Sequence, residues 1–217
     1  MKKKILSLTL VVCLLAIAVV GGTLAYFTDT DNVATNTFTV GNVEIKLDEA
    51  KVDLYGEEEK GANRVTENTY KLIPGHEYTK DPMVTVKAGS EESYVRMFVT
   101  IKDATDVKAV LGNDFLPQYF VKGWDATKWV STNKVVEKDD TLTYEFRYHD
   151  TVNTVDATED LALEALFTSF ELPDTLTNEQ IAKLQGLEIV VVAQAIQADG
   201  FASEDAAFAE LPAVPAV

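Results

Sequence analysis

Two histidines, His76 and His149, are the residues best suited to proton transfer or zinc ligation at neutral pH, and they stand 73 positions apart. A zinc peptidase that holds its metal from one helix needs two histidines one turn apart with a glutamate between them. No His-Glu-x-x-His occurs here. A Gly-x-Ser-x-Gly elbow and a phosphate-cradling glycine loop are absent too. Carboxylates are plentiful, 35 in all, so a pair of them carries little meaning. The reading is of a chain with no catalytic residues, no metal ligands and no cofactor. Weak calcium binding at Asp29, Asp31 and Glu57 to Glu59 is the one exception left open. One tryptophan pair and one arginine remain. Trp124 and Trp129 suit cross-strand packing better than a sugar platform. Arg96 suits a structural role over Tyr94 or Phe98 better than a ligand contact, with an acidic partner as the other choice.

The elements around these residues read as strands. Tyr94 to Ile101 alternates cleanly, with Val95, Met97, Val99 and Ile101 on one face. Leu142, Tyr144, Phe146 and Tyr148 do the same. Val43, Ile45 and Leu47 share a face, as do Val84 and Val86, and the parity switches from Phe38 and Val40 at Gly41-Asn42, which predicts a bulge or a tight bend. Leu187 to Gln197 is apolar on both parities, as a central strand is. Residues 55–69 are polar and predict an exposed loop. Gln118 to Trp124 and Lys128 to Ser131 predict a hairpin around Asp125-Ala126-Thr127. Leu166 to Leu172 leans to strand. Three short helices are expected: from Asp106 as N-cap to Leu111, from Thr177 with a capping box to Gly186, and from Ser203 to Leu211. Many short strands without βαβ alternation predict an all-β fold, a jelly-roll-like antiparallel β-sandwich with a few short helices on its loops.

The N-terminus has its own logic. Lys2 to Lys4 precede an apolar run from Ile5 to Val20, too short for a comfortable span, which needs about 20 apolar residues. Thr23 and Ala25 follow as small residues. This is the layout of a secretory signal peptide over 1–25, cut between Ala25 and Tyr26, leaving 26–217 as a single secreted domain. The cut removes three lysines and no acid, which takes the net charge from −16 to −19. Such a chain repels phosphate, so nucleic acid is excluded as a partner. The sole cysteine, Cys13, precedes the cut, so no disulfide is expected.

Gly22-Thr23-Leu24-Ala25-Tyr26-Phe27-Thr28-Asp29 resembles the junction of the TasA/camelysin family of Gram-positive bacteria, which a signal peptidase of the SipW type cuts at an Ala-x-Phe-x-Asp stretch. Further blocks carry the resemblance: Asn36 to Gly41, Leu72-Ile73-Pro74-Gly75, Lys80-Asp81 leading to Val84-Thr85-Val86, Ser93-Tyr94-Val95-Arg96, and Ala193 to Phe201. Residues 103–160 are less familiar. The resemblance implies a secreted structural subunit of the extracellular or biofilm matrix. Its partners would be the SipW-type peptidase, further copies of itself, and other matrix proteins or exopolysaccharide. It implies fibre formation through an N-terminal strand over 26–39, carried by Tyr26, Phe27, Val33, Thr35, Thr37 and Phe38. Camelysin-type members are classed as metallopeptidases, which makes a secreted peptidase the first alternative. A monomeric surface adhesin is the second.

The secreted protein is expected to begin at Tyr26 or one residue away. Mass spectrometry of secreted material checks this, and protein retaining Lys2 to Lys4 would contradict it. Ala25→Arg is expected to leave the precursor uncleaved, because the peptidase pocket takes small side chains.

Overall fold

In the computed structural model, residues 28–31, 43–112 and 121–213 are described, the first group by its backbone alone. Most of these residues form antiparallel strands. Strands β1 (Thr28–Asp31), β5 (Ser93–Lys102), β7 (Trp129–Lys138), β8 (Thr141–Tyr148) and β11 (Ile189–Gln197) make a five-stranded sheet in the order β1-β11-β5-β8-β7. Strands β2 (Ile45–Asp48), β4 (Met83–Val86) and β9 (Leu161–Ala162) make a second sheet in the order β2-β4-β9. Strands β3 (Glu77–Thr79), β6 (Val121–Lys122) and β10 (Ser169–Glu171) make a third, ordered β3-β10-β6. Three helices follow the predicted places: α1 (Ala104–Leu111), α2 (Asn178–Lys183) and α3 (Glu204–Phe208). The all-β expectation holds.

Period-2 alternation sets the core. Val95, Met97, Val99 and Ile101 of β5 point inward with Leu142, Tyr144 and Phe146 of β8 and with Val191, Ala193 and Ala195 of β11. They pack on Val43, Ile45 and Leu47, on Val84 and Val86, and on Tyr78 and Phe170 from the smaller sheets, all in one cluster. Tyr78 and Phe170 stack at 4.8 Å between ring centroids. The chain passes over Tyr78 at Gly56, whose φ is +76°; a Cβ there would stand 2.7 Å from the Tyr78 Cα, so glycine is required. Burial of this apolar face supplies most of the stabilisation, at about 25 cal/mol per Å².

The expected hairpin around Asp125 is corrected. β6 pairs with β10 through Ser169↔Lys122 and Phe170↔Val121, while β7 pairs with β8. Residues 113–120 lie outside the described residues, as does the expected bulge or bend at Gly41-Asn42. The expected cross-strand packing of the two tryptophans on that hairpin is corrected with it: each packs on the core through other rings. Trp129 is fully buried, stands opposite Tyr148, and donates its Nε1–H to the Glu164 carbonyl at 2.8 Å. Trp124 donates to the Trp129 carbonyl at 2.7 Å and meets Phe146 edge-on. Helix α1 begins two residues before the predicted Asp106. Asp103 precedes it at φ +55° and makes no side-chain cap; the Asp140 carboxylate instead accepts from the Thr105 N–H at 2.9 Å. Asp139 and Asp140 both have positive φ, as the two-residue β7–β8 turn demands. The predicted capping box at Thr177 is present in full, and the Ser203 hydroxyl accepts from the Ala206 N–H at 3.2 Å to start α3.

Trp129→Ala is expected to lower the unfolding free energy by about 3–5 kcal/mol. Val130→Ala, next to it but exposed, should stay within about 0.5 kcal/mol of the parent. Urea unfolding of the two variants measures the contrast.

Candidate functional site

The seam between β1 and β11 is the feature that the rest of the large sheet prepares. β11 pairs with β5 along its whole length, from Ile189↔Ile101 to Gln197↔Ser93. On its other edge it holds only β1, through Thr28↔Ile196, Asp29↔Ala195, Thr30↔Gln194 and Asp31↔Ala193. Ile189 to Val192 have no strand beside them on that edge among the described residues. An edge of this kind offers main-chain donors and acceptors to an incoming strand. The opposite edge strand, β7, is protected. Its register breaks between Ser131 and Val135, Asn133 has positive φ, and Lys134 and Lys138 lie along it.

Of the residues expected to carry assembly, Tyr26, Phe27, Val33, Thr35, Thr37 and Phe38 lie outside the described residues, as does the predicted cut at Ala25. The described part of that stretch, Thr28–Asp31, pairs within the chain's own sheet.

The outer face of the seam is built around Arg96. Its guanidinium donates to the Gln194 Oε1 at 2.8 Å, to the Glu145 carboxylate at 3.3 Å and to the Pro212 carbonyl at 3.0 Å. It also lies over the Phe98 and Phe208 rings, 4.7 and 4.4 Å from their centroids. Both readings of Arg96 thus hold: it stacks on Phe98 and it has an acidic partner. Sequence reasoning missed Gln194 and Arg147. Arg147 joins Glu145 at 2.9 Å and reaches Asp205 of α3 at 2.6 Å, so the two arginines and one glutamate clamp α3 and the following segment onto the sheet. Arg147 and Glu145 alternate on the polar side of β8, a signal visible in the sequence. Gln194 spends its oxygen on Arg96, and its buried Nε2 has no partner among the described residues. In the ladder Gln194 stands opposite Thr30 of β1, and an unmet buried hydrogen bond costs about 1–3 kcal/mol.

The histidines are placed apart. The His76 Nε2–H donates to the Tyr55 carbonyl at 2.6 Å and the ring meets Tyr78 edge-on; exposed His149 sits beside Asp150 at 3.0 Å. Among the described residues no group of three His, Cys, Asp or Glu is arranged to hold a metal ion, so they do not fit a zinc centre. Of the calcium candidates, Glu57 to Glu59 are exposed and Glu59 pairs with Lys51 at 2.7 Å. The side chains of Asp29 and Asp31 lie outside the described ones. No helix among the described residues is long and apolar enough to cross a membrane.

The family model described as camelysin metallo-endopeptidase matches residues 1–56. This agrees with the resemblance to the TasA/camelysin family in the part of the chain that contains β1 and β2. No curated protein and no solved structure matches the chain.

The clamp on α3 should be sensitive to acid. The hydrogen bond from Arg147 holds the Asp205 carboxyl below the usual aspartate range. A depressed folded pKa means that the pairing contributes above the unfolded value and is lost as pH falls through the folded one. Amide-exchange protection across Ala206–Phe208 is therefore expected to fall on acidification below about pH 4, the ordinary aspartate range. Arg147→Met should lower protection at neutral pH and flatten that dependence.

Proposed function

We propose that this chain is a secreted structural subunit of an extracellular matrix, and that copies join by passing the N-terminal strand from one sheet edge to the next. The observation that carries the reading is β1 itself. It is four residues long, lies at the edge of the large sheet, and among the described strands is hydrogen-bonded to β11 alone. A net value of about 1 kcal/mol per hydrogen bond makes such a strand cheap to release. The same register re-forms when the β1 of another copy docks on β11, so exchange conserves every main-chain bond. Each copy gives one strand and receives one, which is a head-to-tail contact that grows into a filament rather than closing.

The camelysin match over residues 1–56 supports the same assignment through the family's resemblance to TasA. The partners in this reading are a SipW-type signal peptidase, the chain's own copies, and matrix proteins or exopolysaccharide. The peptidase reading rests on the family description alone, since the described residues do not fit a metal centre.

A protein starting at Tyr26 is expected to form filaments visible by electron microscopy, and one starting at Val40 to stay folded and monomeric by circular dichroism and gel filtration. Equal polymerisation of the two, or of neither, would overturn the strand-exchange reading.

A further inference from the structure

Away from the seam, Glu49, Asn68 and Lys80 meet beside a cleft of about 630 Å³ that opens between the 68–72 segment and the start of β11. Glu49 is 4% exposed and Lys80 7% exposed. One Glu49 carboxylate oxygen accepts from the Lys80 Nζ at 2.5 Å, and the other accepts from the Asn68 Nδ2 at 2.9 Å. The Asn68 Oδ1 accepts the Val52 N–H at 3.0 Å, and its Nδ2 donates a second time, to the Ala50 carbonyl at 2.8 Å. Aromatic rings wall the site. Tyr70 meets both Tyr78 and Phe170 edge-on, and burial pushes the Tyr70 hydroxyl far above its ordinary pKa, with the Glu49 charge adding to the effect. Arg64 pins the loop that carries Asn68. It donates to Asp48 at 2.5 Å and to Asp81 at 2.8 Å.

A buried amine, a buried carboxylate and a half-buried carboxamide that the carboxylate bridges to the amine are the components of an amide exchange. We propose that Lys80 and Asn68 join through an intramolecular isopeptide bond, with Glu49 as the catalytic residue. Glu49 takes a proton from the Lys80 ammonium, which turns a buried ion pair into a neutral pair and frees the amine to attack. The Lys80 nitrogen bonds to the Asn68 Cγ. Negative charge gathers on Oδ1, which the Val52 N–H already holds, in the manner of an oxyanion donor. Glu49 returns its proton to the Asn68 Nδ2, to which it is already hydrogen-bonded. Glu49 then takes a second proton from the attacking Lys80 nitrogen and passes it on as the Cγ–Nδ2 bond breaks, so nitrogen leaves as ammonium through the cleft, carrying both protons that the Lys80 ammonium lost. One C–N bond forms and one breaks, and nothing is oxidised or reduced. The bond would tie the 68–72 segment to the end of β3. With Cys13 the sole cysteine, the chain cannot form an internal disulfide, and this link would supply a covalent brace of another kind.

Denaturing mass spectrometry of the protein starting at Tyr26 is expected to read about 17 Da below the sequence mass, the mass of ammonia lost in a covalent cross-link. Proteolysis should yield a branched peptide joining Lys80 to Asn68. Lys80→Arg, which keeps the positive charge beside Glu49, and Glu49→Gln should both restore the full mass. Parent protein at full mass overturns the proposal. So does a mass loss that persists in Lys80→Arg, because that loss marks a succinimide at Asn68. Where a variant fails to fold, the branched peptide in the parent decides by its presence or absence.

Discussion

The antiparallel ladder between β5 and β11 is the interaction on which every other part of the molecule rests. Its nine residue pairs join two strands that lie far apart in sequence. One face of the ladder feeds the core through Val95, Met97, Val99, Val191, Ala193 and Ala195. The other face holds Arg96, Phe98 and Gln194 under α3. β8 docks on the far side of β5 and β1 on the far side of β11. Buried apolar area and main-chain hydrogen bonds act together here, and loss of the ladder would leave each neighbour without a partner.

This arrangement makes the two sides of β11 unequal. The β5 side is long, and both of its strands bury their inward side chains. The β1 side is short and has beside it Gln194, whose Nε2 is without a partner among the described residues. Copies with a net charge of −16 or more negative repel one another at distance. A contact between them must therefore be short-ranged and dense in hydrogen bonds, and salt should ease its formation by screening. An exchanged edge strand meets both conditions.

Local patterns were legible in the sequence, and distant partnerships were not. Strict alternation in β5 and β8 exposed their inward faces. The two-parity apolar run of β11 exposed its central place. The capping chemistry of Thr177 and Ser203 exposed two helix starts. The start of α1 was hidden because its cap is Asp140, 35 positions from Thr105, in a turn between other strands. The pairing of β6 with β10 was hidden because two-residue strands have no periodicity to read. Arg96 was visible as an outward arginine, but its partner Gln194 lies 98 positions away. Glu49, Asn68 and Lys80 have no spacing that sequence reasoning could use, and only the fold brings one carboxylate between an amine and an amide.

Strand exchange is tested most directly by trapping β1 where it sits in the assembled state. Thr28 and Ile196 stand opposite each other, and Cys13 precedes the predicted cut. A Thr28→Cys, Ile196→Cys protein beginning at Tyr26 thus carries only the two introduced thiols. After assembly and oxidation, non-reducing denaturing electrophoresis is expected to show a ladder of covalently linked multimers, each bond joining the β1 of one copy to the β11 of the next. Filaments that oxidise only to intramolecularly closed monomers would contradict the account.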